Sequence, residues 1–290
     1  MKAPSNTAIS AGLLFAVVLW GANNTGTKYL IHFWPPGLVG CARFTIAGII
    51  LLALLRWTKW FGPSGKTPQE LNGPLWWRGG LTLATYTLVM NWALVTAPIS
   101  HVAVYLGASP IWALIWEGWP ERSWKSAQRY LAAALALAGV FILFLPAWKG
   151  SSPQLVGEIL GLTSSVLWTN YGRQCRVFAQ RLSGAEVAAQ TFWRAGILLL
   201  PFAIFEIAQS PPVLRWNLVG IQLFCAIGGG VVAYALWNGA LRHWKVGQVY
   251  LFNNLIPLST VSWAYLLLSE KITPTFWVAT LLIIAGVLFG

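Results

Sequence analysis

Two arginines stand inside apolar stretches, Arg43 in VGCARFTIAG and Arg194 in TFWRAGILLL, where a charge is costly to bury. A guanidinium presents a fixed fork of N–H donors that matches a carboxylate or phosphate, so each is a candidate anion handle. Arg194 falls nearer the middle of its stretch and reads as a substrate contact. Arg43 lies nearer an end, where it reads either as part of an anion vestibule or as a lock bonded to helix-end carbonyls. LWGANNTGTKYL places Trp20, Asn24 and Lys28 on roughly one helical face, and LWTNYGRQCR offers Trp168 and Tyr171 at comparable depth. Amides both donate and accept, so Asn24 and Asn254 suit a zwitterion. Tyr86, Tyr105 and Tyr234 add aromatic walls with a polar tip.

This chemistry is recognition rather than catalysis. The chain has three His, no Asp and seven Glu, and Glu70, Glu117, Glu121, Glu158, Glu186, Glu206 and Glu270 all read as loop or span-end residues. That leaves little acid–base machinery for an enzyme. Cys41, Cys175 and Cys225 show no metal or disulfide spacing, and no cofactor is expected. His101 is the one residue within a span whose type titrates near neutrality.

The elements that must hold these groups are membrane spans. Residues are 57% hydrophobic and 9% charged, against roughly a quarter charged in soluble domains. Apolar runs near 8–31, 37–57, 77–96, 99–118, 127–146, 155–181, 184–209, 218–241, 246–269 and 273–290 predict ten transmembrane helices. The net charge of +12 is dispersed in short clusters between these runs, which excludes a nucleic-acid surface. With a cytoplasmic N-terminus, thirteen of the nineteen Lys and Arg fall on inner segments, so both termini are expected in the cytoplasm. Lys28, Arg43 and His101 then lie near outer ends and are expected to form a positive vestibule.

The chain also repeats itself. Asn91, Ala93, Leu94, Val102 and Pro110 are followed 147 residues later by Asn238, Ala240, Leu241, Val249 and Pro257, while Trp20/Trp168 and Gly48/Gly196 lie 148 apart. This near-constant offset predicts two units, 1–147 and 148–290, of five spans each. Five is odd, so the second unit enters the membrane from the opposite side. Such an inverted repeat supports two near-equivalent packings, one open to each face, around a central site. Asn91 and Asn238 are then expected at opposite gates, and Pro110 and Pro257 as hinges in the fourth and ninth helices.

LWGANNTGTKYL, WPPGLVGCARFTIAGIILL, the fourth-span proline, ALALAGVFIL and the closing IPLSTVSWAYLLLSEKITPTFWVATLLIIAGVLFG together resemble the tandem modules of the ten-helix drug/metabolite transporter superfamily, the EamA-type permeases. The resemblance covers nearly the whole chain. It implies a central cavity lined by the first four helices of each half, with the fifth and tenth peripheral, and export of amino acids, other metabolites or toxic compounds. The first span lacks the membrane carboxylate of the related small multidrug-resistance proteins, which disfavours proton-coupled cation antiport. Aromatic amino-acid exporters of the family carry aromatics just before the fourth-span proline. Gly107, Ala108 and Ser109 stand there instead and imply a roomier site.

The reading is therefore an all-α polytopic protein of the inner (plasma) membrane, a monomer or homodimer in the lipid bilayer. It exports or facilitates passage of a small zwitterionic or anionic metabolite, amino acids favoured, by alternating access. A lipid-handling or assembly subunit and a transporter of nucleobase or drug-like heterocycles are the alternatives.

Overall fold

The computed structural model describes residues 5–61, 65, 67–107, 112, 116, 131, 134, 135, 137–142, 145, 146, 152–241, 243, 244, 249 and 252–289. Among these residues every regular element is helical and there is no strand. We number the longer helices α1 (Asn6–Leu30), α2 (Pro36–Trp57), α3 (Leu81–Thr96), α4 (Ile99–Gly107), α5 (Ser152–Phe178) and α6 (Gly184–Gln209). They are followed by α7, which runs through Trp216–Phe224, Cys225–Val232 and Ala233–Leu241, then α8 (Ile256–Leu268) and α9 (Pro274–Phe289). Four described stretches are long and apolar enough to cross a bilayer: α1, α2, α6 and Trp216–Trp237 of α7. The span expected near 127–146 has only scattered described residues, and Pro110 lies outside them.

Local signals set the helix starts. The Ser5 hydroxyl accepts the Ala8 N–H at 3.2 Å to begin α1, and Ser183 with Glu186 forms a reciprocal capping box for α6. Leu75–Gly80, leading into α3, and Cys225–Val232 inside α7 are π-helical, widened turns of the kind that gather at functional sites. Phe252–Leu255 is a 3₁₀ turn that leads into the α-helix Ile256–Leu268, where one continuous ninth span from 246 was expected. Pro257 thus stands in the first turn of α8, where its missing N–H costs no helical bond.

The surface is inverted relative to a soluble protein. Phe205 and Leu266 are 64% and 68% exposed, whereas Arg43, Asn91, Glu158 and Arg194 are buried. Large apolar side chains outside and polar ones inside are what a lipid solvent requires, because only the interior offers hydrogen-bond partners.

The most extensive helix pair is α2 with α6. Glycines make that close approach possible. A Cβ on Gly48 would sit 2.5 Å from the Trp193 backbone nitrogen, and one on Gly196 would sit 2.3 Å from Thr45 Oγ1. These are the two glycines that align at the offset of 148, and each receives the other's helix. Around this crossing α1 lies against α7 and α8, α5 lies against α3 and α4, and α4 meets α8. Small residues at such contacts let backbones pack without a hydrophobic driving force.

Gly48→Leu is expected to cost about 1–3 kcal/mol through overpacking. Thermal unfolding in detergent would show a lowered midpoint, and Gly220→Ala, whose Cβ meets nothing within 4 Å, would leave it in place.

Candidate functional site

Aromatic rings around the α2–α6 crossing form reciprocal pairs. Trp20 on α1 meets Tyr234 on α7 with centroids 5.6 Å apart, and Trp168 on α5 meets Tyr86 on α3 at 5.0 Å. Trp20 and Trp168 are 148 residues apart, as are Tyr86 and Tyr234, so one pair is built twice with the two units exchanged. Phe44 and Phe192 share the same offset and stack on each other at 4.9 Å. The rings are linked further, Phe192 with Tyr234 at 5.2 Å and Trp168 with Tyr171 at 5.7 Å. Trp20 is fixed by its indole N–H, which donates to the Gly229 carbonyl at 3.0 Å within the π-helical turn of α7. Tyr171 shares a 2.9 Å hydrogen bond with Thr191, and the Tyr86 hydroxyl donates to the Met90 sulfur.

One charge breaks this symmetry. Arg43 is 6% exposed, and its guanidinium lies 4.8 Å from the Phe44 ring centroid. The position 148 residues later holds Thr191, a neutral hydroxyl. Arg43 Nη1 donates to Thr27 Oγ1 at 3.0 Å, Nε has no partner, and among the described residues no carboxylate pairs with the group. It lies near Tyr86, Tyr234 and Cys225, so it is close to both aromatic walls. Thr27 in turn donates to the Asn23 carbonyl at 2.8 Å, and the buried Asn23 Oδ1 has no partner. A buried guanidinium with an unpartnered donor, set against aromatic rings, can hydrogen-bond an acceptor such as a carboxylate or phosphate oxygen.

Arg194 is differently placed. Its Nη1 donates to the Gln190 carbonyl at 2.9 Å, its Nη2 donates to Asn72 Oδ1 at 2.6 Å, and it lies over Trp193 and Trp76. Asn72 belongs to the segment leading into α3, so Arg194 ties that segment to α6. Asn24 is also engaged, donating to Thr260 Oγ1 on α8 at 3.2 Å. The side chains of Asn238 and Asn254 lie outside the described residues.

The groups expected to form a vestibule are each held by separate partners. Lys28 donates to the Leu94 carbonyl and, at 3.0 Å, to the Ala97 carbonyl at the end of α3. Glu270 accepts the Ile99 and Ser100 N–H groups at 3.1 and 3.0 Å and the Ser100 hydroxyl at the start of α4. A cation on one helix C-terminus and an anion on the next N-terminus match both helix dipoles at this corner. Asn91 is completely buried and donates to the Pro36 carbonyl at 2.9 Å. Nearby, Glu206 accepts the Gly37 N–H at 2.6 Å and the Trp92 indole N–H at 2.9 Å.

His101 leads to a correction. Its Nδ1 lies 2.6 Å from Glu158 Oε1, and the Tyr105 hydroxyl donates to Glu158 Oε2 at 2.6 Å. Glu158 was expected at a span end, but it is 0% exposed and sits within α5. The helix begins at Ser152, so the carboxylate is carried a full turn or more inside and α4 covers it.

The EamA-like transporter family model matches residues 8–145 and again residues 155–289. The chain belongs to that family. It is 25% identical to an uncharacterized transporter of Archaeoglobus fulgidus, over 95% of this chain and 94% of the relative. A probable amino-acid metabolite efflux pump of Escherichia coli is 21% identical over 94% of this chain and 91% of its own. The uncharacterized inner membrane transporter YhbE of the same organism is 24% identical over 96% and 87%. A solved crystal structure superposes with a TM-score of 0.61 over 98% of this chain and 96% of that chain at 18% identity, which shows the shared fold.

As an EamA-like transporter the protein is a multi-pass membrane protein that acts on a small molecule, and its family is one of transporters rather than enzymes. Several site residues escaped the sequence reading. Phe44 and Phe192 carried a usable signal, the shared offset of 148. Asn23 had none to separate it from Asn24, because only the neighbouring helices decide which amide is partnered. Glu270 and Glu206 cap helices distant in the chain, which no local pattern reports.

Glu270→Ala strands two backbone N–H groups and a hydroxyl, at an expected cost of about 1–3 kcal/mol. Thermal unfolding in detergent should show a larger drop than Glu70→Ala, which removes an exposed ion pair with Arg181 worth under about 1 kcal/mol.

Proposed function

We propose that this transporter exports a small zwitterionic or anionic metabolite, amino acids being the favoured class, across the inner membrane by alternating access. The observation that carries the reading is Arg43, a buried guanidinium with one hydrogen bond, an unpartnered Nε and, among the described residues, no carboxylate paired with it. An unpaired charge at this depth costs several kcal/mol, and a substrate carboxylate or phosphate compensates it with two-pronged hydrogen bonds. The free Asn23 Oδ1 would accept from an ammonium group. Trp20, Tyr86, Trp168, Tyr171 and Tyr234 would enclose the substrate's apolar part. Arg194, whose Nη atoms are bonded to Gln190 and Asn72 between two indoles while its Nε has no partner, would be a lock tying α6 to the segment that leads into α3. The Escherichia coli and Salmonella typhimurium relatives named as probable amino-acid metabolite efflux pumps support the substrate class, and the YhbE relative supports the inner membrane.

The wider architecture belongs to the same proposal. Ten spans in two inverted units, 1–147 and 148–290, are supported by the reciprocal aromatic pairs, by the mutual glycines of α2 and α6, and by the seams that recur with the units exchanged. Thirteen of the nineteen basic residues on one set of loop ends support cytoplasmic termini. The protein would act as a monomer or homodimer. Alternating access would exchange the two packings around the α2–α6 crossing, with the Lys28/Glu270 corner sealing one face.

Counterflow of labelled amino acids in proteoliposomes tests this. Arg43→Gln should weaken apparent affinity for carboxylate-bearing substrates by roughly 10- to 100-fold, as loss of a charge-assisted hydrogen bond implies. Amides of the same amino acids should compete poorly against the wild type. Equal affinity of Arg43→Gln for acid and amide, at the wild-type level for the acid, would remove the anion handle. A second substitution, Phe192→Ala, should weaken binding of apolar amino acids more than that of glycine.

A further inference from the structure

Glu158 is a completely buried carboxylate that the substrate site leaves unused. Its two oxygens are divided between side chains one turn apart on α4, with His101 Nδ1 2.6 Å from Oε1 and the Tyr105 hydroxyl 2.6 Å from Oε2. Among the described residues no Lys or Arg pairs with it. The charged groups on the neighbouring elements compensate each other elsewhere. Lys28 of α1 bonds the end of α3 and interacts with Glu270, and Glu270 itself bonds the start of α4. The titratable Tyr265 of α8 is 61% exposed, and Tyr86 of α3 donates to Met90. Pro274–Phe289 of α9 contains no titratable residue.

We infer that Glu158, His101 and Tyr105 form a proton-binding site through which this transporter couples substrate movement to a proton gradient. An imidazole changes charge near neutral pH, and an imidazole–carboxylate pair in a low-dielectric setting titrates as a unit. With one exchangeable proton aboard, the pair is an imidazolium and a carboxylate, or an imidazole and a carboxylic acid, and is neutral overall. When that proton leaves to water, neutral His101 and the Glu158 carboxylate remain with a net charge of −1, and the Tyr105 hydroxyl donates to Oε2 in both states. The imidazole is the exchange edge, because the His101 side chain is 12% exposed and that of Glu158 is 0% exposed. The bare charge is costly where water is excluded, so proton release requires a packing that admits water.

The site is well placed to bias such a change. It lies in the α4–α5 seam, and that seam is tight: a Cβ on Gly157 would come within 2.8 Å of the Ala97 nitrogen, and one on Gly161 within 3.1 Å of the Tyr105 ring. The two ends of α4 meet the other half of the chain. Glu270 holds its first turn, and a Cβ on Gly107 would lie 3.2 Å from Pro257 at the start of α8. A charge change in the seam therefore acts on a helix that touches both α5 and α8. Inward proton flow through this site would drive the outward substrate movement proposed above, on which the direction of coupling rests.

The full chain in proteoliposomes, loaded with labelled amino acids, gives the transport readout, and difference infrared spectroscopy of the carboxyl stretch during a pH titration gives a readout that needs no substrate. In the wild type a pH gradient should drive accumulation, and a buried carboxyl band should change with pH. Glu158→Gln should lose that band and the gradient-driven accumulation while counterflow, which needs no net proton movement, persists. His101→Gln and Tyr105→Phe should each alter the pH profile of transport, since each removes a hydrogen bond to the Glu158 carboxyl group. Gradient-driven accumulation by Glu158→Gln with the wild-type pH profile would overturn the inference. So would a wild-type spectrum without a pH-dependent carboxyl band, or loss of counterflow in both Glu158→Gln and His101→Gln, which would make the pair structural. Absence of amino-acid counterflow in the wild type would instead sink the substrate class, and the infrared titration would still decide the proton site.

Discussion

A buried polar group surrounded by lipid-facing helices has no water to fall back on, and this requirement organises the molecule. The Glu158 oxygens are taken by His101 and Tyr105, the ends of α3 and α4 by Lys28 and Glu270, the start of α2 by Glu206 and Asn91. Each of these bonds joins separate helices, so satisfying polar atoms also fixes how the helices cross. Among the described residues the buried atoms left without a partner are Arg43 Nε, Asn23 Oδ1, Asn91 Oδ1, Arg194 Nε, Gln222 Oε1 and Thr280 Oγ1. Of these, Arg43 Nε and Asn23 Oδ1 belong to residues that are linked through Thr27, and Arg43 lies against the Phe44 ring.

Duplication supplies the scaffold and then departs from it. Trp20 with Tyr234 and Trp168 with Tyr86 are the same contact made twice, and Phe44 meets Phe192 between them. The glycines at 48 and 196 let α2 and α6 approach closely enough for these rings to converge. Two near-identical walls by themselves would favour no orientation of a substrate. Arg43 has Thr191 at the related position, so the repeat carries a charge in one unit and a neutral hydroxyl in the other.

Much of this was legible in the chain itself. The apolar runs, the offset shared by Trp20/Trp168 and Gly48/Gly196, and the families of candidate aromatic and polar residues all follow from residue type and spacing. The relative standing of the two arginines did not follow. Depth along the helix favoured Arg194 as the handle; its Nη atoms bond Gln190 and Asn72 beside Trp193 and Trp76, while Arg43 bonds a single hydroxyl, and the Nε of each is without a partner. Glu158 was hidden for a related reason. Its place just inside a run boundary marked it as a span-end residue, whereas α5 already includes Ser152 and carries it inward beneath α4.

The sequence alone determined properties that depend on nearest neighbours: helical periodicity, apolar length, the clustering of Lys and Arg between apolar runs, and the repeat. Those are set by the lipid solvent acting on each segment separately. The tertiary structure decided which polar atoms are paired and which are spare. Partners such as His101 and Glu158, 57 residues apart, or Trp20 and Gly229, 209 apart, meet only after the helices have packed. A hydrogen bond forms or fails within a few tenths of an ångström, a distance fixed by close approach of backbones at Gly48, Gly157 and Gly196.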